Sequence, residues 1–198
     1  MTNQIDRLAA GRVDVVALGG QRVVIRPLLP QDAELAKAFF GSLSPTARYQ
    51  RFLSPMRSLP AALVKRLTEV DDSEHVALLA EVFCGNRETL IAEARYARLA
   101  DRMSAEFAIA VAEGWQGLGL ASLLLNKLIC RAASAGITHL VGETLASNAR
   151  MIALARRAGF SVRRSLEVGG VLLLQKTLEP WRPHLPGTEP RQVTAVAA

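Results

Sequence analysis

A glutamate inside a short apolar run, and a glutamine followed by two glycines, are the residues of this chain whose types and spacing could do chemistry. The run Ser104-Ala105-Glu106-Phe107-Ala108-Ile109-Ala110-Val111 alternates as a strand would. Phe107, Ile109 and Val111 fall on one face, and Glu106, Ala108 and Ala110 on the other. The second face is small apart from its carboxylate, which leaves room for a ligand beside Glu106. A central strand buries both faces, and a lone buried carboxylate is disposed to take up a proton, as a general base must. The plain alternative is an exposed or salt-bridged glutamate. Beyond the run, Gln116-Gly117-Leu118-Gly119-Leu120-Ala121-Ser122 leads into a long apolar-periodic stretch, so a strand turns through glycines into a helix start. Backbone N–H groups converge at such a turn with the positive end of the helix dipole behind them, which suits a phosphate or pyrophosphate.

The order of residues decides which phosphate ligand. A dinucleotide fingerprint would need a third glycine where Ser122 stands, and a P-loop would need lysine in place of Leu120. What fits is Gln-x-x-Gly-x-Ala, over Gln116, Gly119 and Ala121. A second block follows. The apolar run His139 to Leu145 gives way to Ser147-Asn148-Ala149-Arg150-Met151, and a helix then runs to Ala158 and stops at Gly159-Phe160. Asn148 is a competent N-cap and Gly159 a natural left-handed C′ residue. Capping alone would explain Asn148 in an arbitrary protein.

Together, in this order and spacing, the two blocks resemble the GNAT superfamily of N-acetyltransferases. The resemblance covers roughly Arg22 to Thr177. Within it, Leu43-Ser44-Pro45, Arg48 to Phe52, Ala105 to Ala108, and Asn148 to Met151 with Leu154 to Arg157 look like the GNAT domain of bacterial Pat-type protein lysine acetyltransferases. The resemblance implies an α/β fold: a mixed, mostly antiparallel sheet with a central parallel strand pair splayed for acetyl-CoA. It implies that the backbone of Ile109, Ala110 and Val111 faces the pantetheine arm, with an N–H near Val111 polarising the thioester carbonyl. It further implies that the amides of Gln116, Gly117, Leu118, Gly119, Leu120, Ala121 and Ser122 wrap the pyrophosphate, with Asn148 beside the cofactor. Glu106 matches the glutamate taken as the base. An amine such as lysine, with a pKa near 10.4, needs that base or desolvation to expose its lone pair at neutral pH.

One departure stands out. Many GNAT enzymes carry an acidic tyrosine seven residues after the asparagine, and here that position is Ala155; Tyr49 and Tyr96 are the chain's tyrosines. A water held by Asn148 or Ser147 could take the acid's place, or the thiolate could leave unassisted. Three functions follow as expectations: transfer to a protein lysine, transfer to a small-molecule amine, or a silent acyl-CoA-binding sensor. A homodimer is a family expectation without a signal of its own in the sequence.

These residues need elements to position them. Gln21 to Pro27 is expected as a strand, Asp32 to Phe40 as a helix, and Ser44-Pro45 as the N-cap and first turn of another helix carrying Tyr49, Arg51 and Phe52. A further helix is expected over about Ala61 to Val70. Strands are expected over His75 to Cys84, Thr89 to Tyr96 and Ser104 to Val111, with turns at Gly85-Asn86 and near Asp101. A hairpin of Ser161 to Glu167 and Val171 to Thr177 closes the pattern around Gly169-Gly170. Residues 1–20 read as a lead-in of uncertain order, 21–178 as one domain, and 179–198, with Pro180, Pro183, Pro186 and Pro190, as a flexible tail.

Composition agrees with a single domain: half of the 198 residues are hydrophobic. The apolar stretch after Gly119 is broken by Asn126, Lys127 and Arg131, so no membrane span is expected. Asp6 and Arg7 stand where a signal peptide would be apolar, which leaves a cytoplasmic protein as the default. Cys84, Cys130 and the three histidines are scattered, which argues against a metal site or a disulfide and for buried thiols. The net charge of +6 comes from dispersed arginines with few aromatics, a poor platform for nucleic acid.

Overall fold

The computed structural model describes residues 13–71, 74–85 and 87–179. Among these residues eight strands form one sheet in the order β1-β2-β3-β4-β5-β6-β8-β7: β1 (Asp14–Leu18), β2 (Gln21–Pro27), β3 (His75–Cys84), β4 (Arg87–Arg98), β5 (Ser104–Val111), β6 (His139–Leu145), β7 (Ser161–Arg164) and β8 (Val171–Thr177). Neighbours are antiparallel except β5 and β6, which run parallel. That is the mixed sheet expected of the fold.

Strand β1 lies in the stretch read from the sequence as a lead-in of uncertain order and places Asp14–Leu18 at the edge of the sheet. Gly19 and Gly20, both at positive φ, form the two-residue turn that pairs Leu18 with Gln21. Residues 1–12, and the tail from Pro180 on, lie outside the described residues, as does Asn86 of the expected turn.

Among the described residues five α-helices cover the sheet: α1 (Ala33–Ser42), α2 (Pro45–Phe52), α3 (Ala61–Thr68), α4 (Leu120–Ser134) and α5 (Ala149–Arg157). Burial divides them between the two faces. On one face Leu120, Leu124, Leu128 and Ala132, at helical spacing along α4, pack with Ile25, Leu78, Ala94 and Phe107. On the other, Phe39, Phe40 and Leu43 of and after α1 and Leu67 of α3 pack with Leu79, Leu90 and Ala110. The alternation read along β5 is thus real: Phe107 and Ala110 enter different cores. No helix among the described residues is long and apolar enough to cross a membrane.

The expected buried thiols are corrected in one case. Cys130 is exposed, on the solvent side of α4, and the side chain of Cys84 lies outside the described residues. Among the described residues no group of histidines, cysteines and carboxylates could hold a metal ion.

Candidate active site

The site begins where two strands stop pairing. β5 and β6 are in register only over Ser104–Glu106 and His139–Val141. Beyond Glu106 they part, and Phe107 fills the apex of the gap on the α4 face. A Cβ on Gly142 would come within 2.8 Å of the Phe107 ring, so glycine is what lets the ring lie against β6 there. Phe107 in turn packs on Phe160 after α5, with ring centroids 5.0 Å apart.

A cavity of about 690 Å³ occupies the gap, reaching from α2 across Ala108 to Val111 and down to the glycine turn and α5. At the turn, Gly117 and Gly119 adopt φ of +82° and +89°, which residues with a Cβ rarely do, and α4 starts immediately afterwards at Leu120. The Gln116 side chain fastens this turn. Its Nε2 donates to the Val111 carbonyl at 3.0 Å, and its Oε1 accepts from Arg150 on α5. One residue therefore ties the end of β5, the turn and the start of α5 together. Arg150 and Arg157 line the same side of the cavity and make it favourable for phosphate oxygens.

Most of the residues expected to hold the cofactor converge here. Ile109, Ala110, Val111, Gln116, Gly117, Gly119, Ala121, Ser122 and Asn148 all line the cavity. Leu118 and Leu120 do not. The Leu118 side chain is exposed near Gly19 and that of Leu120 is buried in the α4 core, so only their backbones remain available to the turn. Asn148 caps α5, its Oδ1 accepting from the Met151 N–H at 3.1 Å, and still lines the cavity, so capping and cavity lining coincide.

Glu106 departs from expectation. It is exposed rather than buried, and it sits at the last position of β5 that pairs with β6, just outside the lining of the cavity. The reason lies in the helices on its face: they cover the Ala110 end of β5 and leave the Glu106 end open. Two other carboxylates do line the cavity and were missed. Glu143 on β6 lies two positions past Val141, the partner of Glu106, and so on the same face as Glu106. Glu113, after β5, accepts from the Ser44 N–H at 3.1 Å and links α2 to the turn; hydrogen bonding with Ser44 holds its carboxyl below the usual range. Only the pairing of β6 with β5 could have pointed to Glu143.

Neither tyrosine is in position to act as an acid. Tyr96 is buried in the α4-side core, Tyr49 is exposed on α2, and neither lines the cavity; Ala155 is fully buried. The hydroxyls present are those of Ser44, Thr46, Ser122, Thr144 and Ser147. Of these, the Thr144 Oγ1 is buried with no hydrogen-bond partner among the described residues.

Helix α2 closes the cavity from the other face, packing against both β5 and β6. Ser44 caps it as expected, its Oγ accepting from the Ala47 N–H at 3.1 Å with Pro45 in the first turn. Arg48 anchors it, donating to the carbonyls of Gly41, Leu43, Met56 and Arg57 and so fixing the segments on either side. Arg51 projects into the lining beside a buried Glu93.

The comparisons with known proteins agree with this geometry. The profile of the Acetyltransferase (GNAT) family matches residues 43–160. Acetyltransferase PA5475 of Pseudomonas aeruginosa is 32% identical over 145 residues, covering 73% of this chain and 78% of that protein. Acetyltransferase Pat of Mycolicibacterium smegmatis is 32% identical over 164 residues, which is 81% of this chain but 47% of Pat, so the chain spans about half the length of that relative. The crystal structure of the GNAT domain of S. lividans PAT superposes with a TM-score of 0.75 at 32% identity, over 84% of this chain and 97% of that one. A splayed parallel pair, a positive-φ glycine turn at a helix start and a cavity joining them fit the family's acyl donor, acetyl-CoA. The chain belongs to the GNAT family of acetyltransferases.

Proposed function

We propose that residues 21–178, with β1 added as an edge strand, form a single acetyltransferase domain that moves an acetyl group from acetyl-CoA to the side-chain amine of a protein lysine. The amine attacks directly, with Glu106 as general base. The observation that carries this reading is the parting of β5 and β6 immediately after Glu106, with the cavity running through the gap. Acetyl-CoA supplies the activated carbonyl. The turn from Gln116 to Ser122, with Arg150, would hold its diphosphate, and the opened edge of β5 over Ile109 to Val111 would hold its arm. An N–H near Val111 would polarise the carbonyl.

Glu106 works through a water in this proposal, since its carboxylate lies beside the cavity and in contact with solvent. It takes the ammonium proton, and Glu143 on the same face helps to hold the cation before attack. The departing thiolate is stabilised by a hydroxyl or a water, because no tyrosine lines the cavity. The similarity to Pat favours a protein lysine as acceptor. The missing tyrosine favours a second reading, a silent acyl-CoA-binding module.

Calorimetry with acetyl-CoA, followed by thiol release with protein and amine acceptors, tests both. Acceptor-dependent release that Glu106→Gln abolishes, with binding kept, supports the transferase. Binding without release from any acceptor supports the sensor, and an unchanged rate in Glu106→Gln sinks the base assignment.

A further inference from the structure

Three arginines line the cavity, and they lie on two different walls. Arg150 and Arg157 stand on α5, where Arg150 bonds to Gln116 of the glycine turn; Arg51 stands alone on α2. Its surroundings are unusual for a cation. Only 8% of its side chain is exposed, and among the described residues its Nε is buried without a partner and its single ionic contact is Nη2 to the Glu93 carboxylate at 3.4 Å. Glu93 itself is fully buried, and its other oxygen is taken by Arg95 Nε. One carboxylate therefore serves two guanidiniums, so Arg51 has no carboxylate to itself within the wall. Glu106, on the same sheet face, adds attraction from a distance without a hydrogen bond to Arg51.

The guanidinium is also held still. Its central carbon lies 4.9 Å from the ring of Phe52 and 5.8 Å from that of Phe40. Stacked in this way, a planar fork of donors loses little freedom on meeting a planar anion. Beneath it the β5 residues on the same face are Ala108 and Ala110, which take up little of the space. A rigid, desolvated and under-paired guanidinium on the wall of an open cavity is suited to a carboxylate.

We propose that Arg51 forms a carboxylate-binding subsite in the α2 wall, so that the preferred reaction includes a substrate bearing a carboxylate besides its reacting group. The inference rests on the acetyltransferase reading of the cavity. The carboxylate can come from the acyl chain, as in a dicarboxylic acyl-CoA, or from the acceptor, as in an amine that is also an acid.

Two matched pairs separate these sources. Succinyl-CoA and butyryl-CoA differ in the carboxylate at the chain end, and 6-aminohexanoate and 6-aminohexanamide differ in the carboxylate remote from the amine. Calorimetric affinity and initial rates are measured with the full chain, and with Arg51→Gln, which leaves the Glu93 carboxylate its partner Arg95. The wild type should favour the carboxylate member of one pair by roughly tenfold or more, and Arg51→Gln should lose that preference while binding acetyl-CoA normally. The pair showing the preference identifies the source. Preference in neither pair, or preference that survives in the variant, overturns the subsite. If Arg51→Gln does not fold by circular dichroism, Arg51→Lys keeps the charge and loses the fork, and the preference should fall at least roughly threefold. Failure of the wild type to bind acetyl-CoA is a different result: it removes the transferase reading on which the subsite depends.

Discussion

Two buried arginines on this molecule meet carboxylates in opposite ways. Arg26 on β2 is closed off. It donates to both oxygens of Asp32, both oxygens of Glu81, one of Glu88 and the Pro27 carbonyl, all between 2.6 and 3.1 Å. Burial alone would lower its pKa, but the hydrogen bonds it donates to Asp32 and Glu81, with their charges, override that and hold it raised. Arg51 on α2 has one long contact, and burial lowers its pKa despite the partial offset from Glu93. The first cluster joins β2, β3, β4 and the turn before α1 outside the lining of the cavity, and all three nitrogens of its guanidinium are engaged. The second borders the cavity and is incomplete. A saturated buried ion pair holds a fold together; an unsaturated one beside open space is available to a ligand.

The contrast can be tested most severely at Arg26. Replacing it with methionine strands Asp32, Glu81 and Glu88 together, and should cost about 3–5 kcal/mol, read as a large fall in the denaturation midpoint. Loss of Arg51 should cost far less stability. If the two variants melt alike, the distinction between closed and open clusters fails. At the site, Glu106→Gln should lower the turnover rate by roughly 10²–10⁴-fold with acetyl-CoA affinity kept, the range expected for a general base.

The closed cluster should also show in the pH dependence of stability. Burial first, then hydrogen bonding with Glu88, pushes the Glu81 carboxyl up to about 7. A carboxyl raised on folding binds its proton more tightly in the folded state. Its contribution is therefore full below the ordinary carboxylate range and is lost as pH rises towards about 7. Over that window the slope should not exceed about 1.4 kcal/mol per pH unit, and Glu81→Gln should flatten it in urea titrations at several pH values. A smaller effect is expected at the glycine turn. Gln116→Ala removes two hydrogen bonds that tie β5 to α5 and should weaken acetyl-CoA binding roughly tenfold; an unchanged affinity would mean that the turn holds its shape without that side chain.

Sequence was most informative where chemistry is local. The glycine turn, the Ser44 and Asn148 caps and the leucine stripe of α4 depend on residues within a few positions of one another, and all stand where local rules put them. Strand β1 had a local signal too, Gly19-Gly20 between two short apolar runs, but its edge strand is short and largely exposed. What sequence could not supply was cover and neighbourhood. The exposure of Glu106 depends on which helices lie over its end of β5, and Glu143 and Arg51 reach the cavity only through strand pairing and helix docking across long separations.

The three-residue pairing of β5 with β6 makes the sheet two antiparallel blocks joined by a short seam. Past that seam the fold carries two strand edges in its own interior, facing each other across a gap. An exposed outer edge invites any passing strand, whereas these inner ones are sheltered by α2 on one face and by Phe107 on the other. They are open only to something slender, extended and able to hydrogen-bond along its length. Such a guest would act as a partial missing strand, so occupancy of the gap should stiffen one block against the other and slow amide exchange in β5 and β6 beyond the residues it touches.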